Sequence, residues 1–333
     1  MPDVLIPVEG AEITNRKQRK ITVVGLGAVG MAAAFAMMCK EIANKIALID
    51  VTCEKVKGEV LDLKHGKQFL KHCEVIGSTD YSVCKDSDIV FVTAGARQLE
   101  GESRLNLVQK NVEIMKGIIP EIAKYSPQCV LVIVSNPVDV LTYVAAQLSG
   151  FPPNRVIGTG TMLDSSRFRT MLGEVLGLAP SAVHAYIIGE HGDSSVPVWS
   201  KTSISGVPLN SVNPMVGKPG DPENFGAIHQ NVIDSAYEII KLKGYTAWAI
   251  GLTCYALAHA ILTDSHTIYP LSVNAKGLYG ILDDVYLSLP ALVTADGITH
   301  IIPIKLDCEE ESRLQKSAKT LLEVCRGIRW CGS

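Results

Sequence analysis

The chain reads as α/β: a doubly wound parallel sheet followed by a mixed α+β domain with antiparallel strands. Three observations predict this. Short, continuous aliphatic runs alternate with helical patterns through the first half, as parallel strands covered on both faces do. A glycine-rich turn joins the first run to an apolar helix. Beyond about Gly160 the rhythm gives way to long helices and then to alternating segments with Gly and Asp in the turns. A chain of 333 residues has room for two cores, because single cores stop growing at about 250–300 residues.

Residues 1–20 form a polar arm with Val4, Leu5, Ile6 and Val8 ahead of a basic cluster at Arg16 to Lys20. It reads equally as a disordered tail and as a segment that packs on a neighbouring subunit. Ile21 to Val24 is a strand ending in Gly25-Leu26-Gly27-Ala28-Val29-Gly30. Met31 to Ile42 is helical, and Ile46 to Ile49 is a second strand ending in Asp50. Together they make a βαβ unit of about 30 residues, the context a G-x-G-x-x-G turn needs to be informative. This is a Rossmann-type unit. Gly25 permits the tight turn, Gly27 lets a pyrophosphate approach the backbone, and Gly30 lets helix and strand pack closely. Asp50, after the second strand, is placed to accept hydrogen bonds from an adenine-ribose diol and to repel a 2′-phosphate. The expected cofactor is therefore NAD rather than NADP.

Further strands are expected at Val75-Ile76, Ile89 to Val92, Val130 to Val134 and Val156-Ile157. Thr93-Ala94-Gly95-Ala96 and Ser135-Asn136-Pro137 follow two of them, at the carboxyl edge where such sheets bind ligands. The expected domains are an arm over 1–20, a dinucleotide-binding domain over 21–160 and a catalytic and oligomerisation domain over 161–333. In the latter, Phe225, Ile228, Val232, Ala236, Ile239 and Ile240 mark an amphipathic helix, and Thr246 to Leu262 a more buried one. Antiparallel strands are expected at Tyr269 to Val273, Val285 to Leu289 and Ile301 to Leu306. A closing helix carries Leu314, Ala318, Leu321 and Cys325 on one face.

Composition narrows the function classes. A net charge of −3 with 47% hydrophobic and 20% charged residues describes a soluble globular chain without a bias towards nucleic acid or a membrane surface. The nine cysteines are scattered and lack any CxxC or zinc-type spacing, so no metal site is expected and reduced thiols in the cytoplasm fit best. Neither a signal peptide nor a lipid-spanning helix is read.

Three segments carry chemistry. In GEHGDSSVPVW, His191 sits between Gly189 and Gly192. An imidazole that titrates near neutrality can take a proton from a substrate hydroxyl and return it, although Gly, Asp and Ser also favour ordinary turns. In LDSSRFR, Asp164 and Arg167 stand three apart in the expected first turn of a helix. They are either a minor surface ion pair, or Asp164 orients His191 while Arg167 forks onto a substrate carboxylate. Spacing alone leaves both open. The polar segment from Arg97 to Arg104, with Gly101 in its middle, reads as a loop that closes over substrate or as a solvated charged loop.

The stretches ITVVGLGAVG, TAGARQLEGESRLNLVQKN, SNPVDVLTYVA, LDSSRFR, GEHGDSSVPVWS and KLKGYTAWAIG occur in order between about Lys20 and Lys319. In these the chain resembles the L-lactate dehydrogenases of the lactate/malate dehydrogenase superfamily. The resemblance implies reversible, NAD-dependent hydride transfer between L-lactate and pyruvate. It makes His191 the proton donor and acceptor, Asp164 its partner, and Arg104 the group that polarises the keto oxygen. Arg167 would bind the carboxylate, Asn136 would bond near the reacting oxygen, and Thr246 would limit the side-chain pocket. Arg97 would meet the cofactor pyrophosphate and Asp50 the adenine ribose, with Gly25, Gly27, Gly30, Thr93, Ala94, Gly95 and Asn136 as further cofactor contacts. Gln98 resembles a selector: glutamine goes with the methyl group of pyruvate, arginine with the second carboxylate of oxaloacetate. A neutral amide would leave that carboxylate unpaired.

The sequence departs from the family pattern at Thr159-Gly160-Thr161-Met162, at Leu99 and from Cys325 to Ser333. These differences bear on the breadth of 2-oxo acid accepted. The arm has the length of tetrameric members, so a homotetramer is implied by analogy. Two other readings are a malate or broad 2-hydroxy-acid dehydrogenase, which Gln98 opposes, and a non-catalytic dinucleotide-binding scaffold, which the retained charged groups oppose.

Overall fold

A computed structural model of the chain describes residues 19–70, 73–96 and 104–330. The first half contains strands β1 (Lys20–Val24), β2 (Lys45–Ile49), β3 (Glu74–Ser78), β4 (Ile89–Val92), β5 (Val130–Ile133) and β6 (Val156–Gly158). Their spatial order is β6-β5-β4-β1-β2-β3, and every neighbouring pair is parallel. The connecting helices are α1 (Ala28–Cys39), α2 (Cys53–His65), α3 (Arg104–Tyr125) and α4 (Val138–Ser149), with α5 (Met162–Leu176) leading onward. The sheet is doubly wound, and its order reverses between β1 and β4, which opens the crevice where ligands bind. All four residues of β4 and of β5 are buried, the physical reason for their uninterrupted aliphatic sequences.

After α5 come short strands at β7 (Val183–His184), β8 (Ile187–Ile188), β9 (Val196–Pro197), β10 (Ser203–Ile204) and β11 (Val207–Pro208), then one helical turn, α6 (Leu209–Val212). The chain continues through α7 (Gly226–Lys243), α8 (Trp248–Thr263), β12 (Thr267–Asn274), β13 (Tyr286–Thr294), β14 (Gly297–Ile301) and α9 (Cys308–Arg326). Strands β7, β10 and β11 form one small antiparallel sheet and β8 and β9 another, but the last three strands do not stand apart. Ser272 of β12 pairs with Gly158 of β6, so β12, β13 and β14 extend the parallel sheet to nine strands. That junction needs small residues, because a side chain at Gly158 would lie 2.7 Å from the Ser272 Cβ. A second tie runs through the helices: a Cβ on Gly251 of α8 would sit 2.8 Å from the Ala32 carbonyl carbon of α1.

A smaller core lies under α5 and α7, where the rings of Phe168 and Trp199 meet edge to face at 4.8 Å and Val183, Phe225 and Val232 close around them. Helix α9 starts with a capping box, in which Asp307 accepts from the Glu310 N–H and Glu310 accepts from the Asp307 N–H.

One expectation needs correction. The third antiparallel strand starts at Gly297 rather than Ile301 and ends at Ile301. Gly297, at φ +93, turns the chain directly after Thr294, and Pro303 has no N–H to continue the ladder. Helix α8 is more buried than α7, as its sequence predicts, although Trp248 is 64% exposed and Leu252 55% in the isolated chain. Among the described residues, all eight cysteines are free thiols and no helix is long and apolar enough to cross a membrane.

Candidate active site

The carboxyl ends of β1, β2 and β4 build a cradle from main-chain atoms. Gly25, at φ +95, donates its N–H to the Ile49 carbonyl at 2.8 Å, and Thr93 donates its hydroxyl to the Gly25 carbonyl at 2.6 Å. A side chain on Gly25 would collide with Ala94, and one on Gly30 would lie 2.0 Å from the Gly25 carbonyl oxygen. A Cβ on Gly27 would instead meet nothing within 4 Å, and no side chain caps α1 there. An open backbone at an uncapped helix N-terminus suits a phosphate group. Asp50 accepts from the Leu26 N–H at 2.8 Å and from Lys55 at 3.4 Å. Burial pushes its carboxyl up, but the hydrogen bonds from Leu26 and Thr52 outweigh this and hold it below its usual value. Asp50 therefore orders the glycine turn as well as standing at the ribose position. These residues fit a dinucleotide.

Beside the cradle, Ser135 donates to the Ala94 carbonyl at 2.6 Å. Asn111 of α3, fully buried, accepts from the Ala96 N–H at 2.7 Å and donates to the Asn136 carbonyl at 3.0 Å. Asn111 thus ties the exits of β4 and β5 together. Sequence reading missed it, because one polar residue in a long helix carries no positional signal.

His191 follows β8. Its Nδ1 lies 2.5 Å from Asp164 Oδ2, and the other Asp164 oxygen accepts from Arg167 Nη1 at 3.1 Å. Asp164 is 6% exposed. Asp164 and Arg167 are thus ion-paired on α5, largely out of solvent, and the same carboxylate also meets the imidazole. The negative charge of Asp164, only partly opposed by burial, raises the His191 pKa to about 9. Asp164 moves the other way. Burial pushes it up, yet His191 and Arg167 hold it below its ordinary value.

The main chain leading to the imidazole is fixed by three different elements. Gly189, at φ +83, exchanges hydrogen bonds with Ser288 of β13 at 2.9 and 2.8 Å. The Glu190 N–H donates to Ser317 of α9 at 2.8 Å, and the His191 N–H to Asp139 of α4 at 2.7 Å. Asp139, 2% exposed, is a functional candidate that sequence reading missed. Burial pushes its pKa up to about 6.

His191, Asp164, Arg167 and Asn136 line one cavity of about 420 Å³. Its opposite wall is α7, through Val232, Ile233, Ala236, Tyr237 and Ile240. The apolar stripe of that helix is core at Ile228, both core and cavity wall at Val232, and cavity wall further on, where Ile240 is 48% exposed. Ser195 also lines the cavity and bonds His229 at 3.0 Å, and burial lowers the His229 pKa to about 4, leaving it neutral.

Thr246, in the turn between α7 and α8, is not among the residues lining this cavity. Arg97 and Gln98 lie outside the described residues, and Arg104 is described only as the first residue of α3.

Comparison with known proteins bears on this arrangement. Residues 19–158 match the family model described as lactate/malate dehydrogenase, NAD binding domain. Residues 161–328 match the lactate/malate dehydrogenase alpha/beta C-terminal domain. The L-lactate dehydrogenase A chain of Dissostichus mawsoni is 56% identical over 304 residues, which cover 91% of this chain and 92% of that protein. The A chain of Chaenocephalus aceratus is 56% identical and that of Eleginops maclovinus 55%, with the same coverage.

Gly30→Ala tests the cradle. Its Cβ cannot be placed without moving the Gly25 carbonyl, so stability should fall by about 1–3 kcal/mol in denaturant titration. NADH binding, followed by fluorescence, should weaken by roughly tenfold or more. Unchanged NADH affinity would place the dinucleotide elsewhere.

Proposed function

This chain belongs to the lactate/malate dehydrogenase family, and on that premise we propose that it is an NAD-dependent L-lactate dehydrogenase, catalysing (S)-lactate + NAD+ to pyruvate + NADH + H+ reversibly. The observation that carries the reading is the buried Asp164 bonded to His191 on one side and Arg167 on the other, at the wall of a cavity beside the dinucleotide cradle.

NAD, when bound, accepts or supplies the hydride at the substrate carbon. The chain handles the proton and the charge. Because Nδ1 of His191 is committed to Asp164, Nε2 is the nitrogen left to exchange a proton with the substrate oxygen. Arg167 uses one nitrogen on Asp164, and its remaining N–H groups suit a substrate carboxylate. Asn136 lines the same cavity, and we assign it to bonding near the reacting oxygen. We assign Arg104 to polarising the keto oxygen, Gln98 to choosing a methyl over a carboxylate, Arg97 to the pyrophosphate and Thr246 to the side-chain pocket. Support for these four rests on the sequence motifs that carry them.

The domain division 21–160 and 161–333 is supported by two family matches that meet between residues 158 and 161. A homotetramer is supported by large apolar side chains exposed on the isolated chain, among them Phe35, Leu61, Trp248 and Leu252. We place the enzyme in the cytoplasm on its scattered cysteines, and we expect neither nucleic acid nor membrane as partner.

The direct test is NADH absorbance with pyruvate and oxaloacetate in parallel. Rapid oxidation with pyruvate and little with oxaloacetate is expected. Preference for oxaloacetate would favour the malate reading, and no oxidation with either would favour a non-catalytic scaffold.

The same assay across pH reports the proton. Pyruvate reduction needs the protonated ring, so kcat/KM for pyruvate should be level below the His191 pKa of about 9 and fall as pH rises through it. For lactate, which needs the neutral ring, kcat/KM should rise through the same midpoint. Parallel profiles in the two directions would remove His191 from proton transfer. Gln98→Arg should shift preference towards oxaloacetate by roughly a hundredfold or more; a variant that still favours pyruvate would put selection elsewhere.

A further inference from the structure

The His191–Asp164 couple does not use the second buried carboxylate at the site. Asp139 lies in the first turn of α4, three residues after Asn136, and reaches across to the chain following β8. One oxygen accepts the His191 N–H at 2.7 Å. The other, Oδ1, and the hydroxyl of Ser272 on β12 are both buried without a well-formed hydrogen bond, and a weak bond from Ser272 to Asp139 offsets only part of the upward push of burial on the carboxyl. An ionised group left half-satisfied in the interior is costly. A neutral acceptor would serve a peptide N–H at lower cost, so the retained charge calls for an explanation.

We propose that Asp139 is a positioning residue for proton transfer, which fixes the main chain of His191 from behind and supplies a second negative charge that favours the imidazolium. This deepens the dehydrogenase reading above and rests on it.

The charges around the pair fit the role. Asp164 and Arg167 of α5 face His191 directly, and Glu190, the residue before His191, faces Asp139 as a like charge. Cys325 of α9 also faces Asp139, but burial raises its pKa to about 12 and keeps it a neutral thiol. His229 of α7 faces Asp164 and stays neutral, with a pKa lowered to about 4 by burial. With the imidazole protonated, His191 and Arg167 set two positive charges among the carboxyl groups of Asp139, Asp164 and Glu190, and loss of the ring proton removes one of the two.

Asp139→Asn separates charge from contact. The amide oxygen can still accept the His191 N–H, and its NH2 can donate to the Ser272 hydroxyl, so this variant should fold and retain most of the pyruvate turnover at pH 6. Its high-pH limb should move down by about half a unit to one unit, the scale of one charge removed at moderate distance. The His191 ring, followed by NMR in the unliganded protein, should show the same shift. That second readout needs no turnover, so an inactive wild type would overturn the dehydrogenase reading without deciding this one. Asp139→Ala removes the acceptor as well, and kcat should drop a further tenfold or so in both directions, with KM little changed. If Asp139→Asn keeps the wild-type pH limb and the wild-type ring titration, the charge has no part in proton transfer and the proposal is overturned, whatever Asp139→Ala does to stability.

Discussion

The site depends on a buried carboxylate and a cavity-lining imidazole held 2.5 Å apart. Taking Asp164 out of water is unfavourable, and only partners on both of its oxygens offset that cost. His191 supplies one partner and Arg167 the other. Removing either would strip one buried oxygen of its partner, with a loss approaching the ~3–5 kcal/mol of a broken buried ion pair. The same contact performs the chemistry, because the charge that steadies Asp164 is the proton His191 can give away. Stability of the site and readiness for proton transfer are one electrostatic arrangement.

That arrangement constrains the fold around it. Asp164 and Arg167 stand on one face of α5 because residues three apart on a helix are neighbours. His191 arrives from a strand end whose backbone N–H groups are taken up by β13, α9 and α4 in turn. The clamp on the histidine therefore draws on the whole second half and on one helix of the first. The nine-stranded sheet makes this possible, since β12 and β13 continue the parallel strands across the β6 edge and bring Ser288 and Ser272 beneath the site. Cradle and proton-transfer pair open on the same carboxyl edge. A cofactor carbon and a substrate oxygen can then be served from fixed backbone rather than from separate moving parts.

Much of this was legible in the sequence. The glycine turn declares itself because three steric needs coincide in six residues, with a strand before it and a helix after it. Parallel strands declare themselves by being apolar on both faces. What periodicity cannot give is partnership. Asp164 and His191 are 27 positions apart, and no local rule joins them; the family motifs did. The joining of β12 to β6 was hidden for the same reason, since alternation marks a strand but not its neighbour. Asp139 was hidden because an acid in the first turn of a helix is ordinary helix-dipole chemistry, and only the packed structure shows it accepting from the His191 main chain. The stripe on α7 marks an amphipathic helix in the sequence, but not that Val232, Ala236 and Ile240 line the cavity. Thr246 stands outside that wall, and Arg97 and Gln98 fall outside the described residues, so their roles rest on the motifs.

The central claim is that Asp164 holds His191 as an imidazolium at neutral pH, ready to protonate a substrate oxygen. It is tested most directly by titrating the His191 ring by NMR in the unliganded protein. A ring that is charged at pH 7 and loses its proton near 9 agrees with the account. A ring that is already neutral at pH 7, with a midpoint at or below its ordinary value near 6.5, contradicts it.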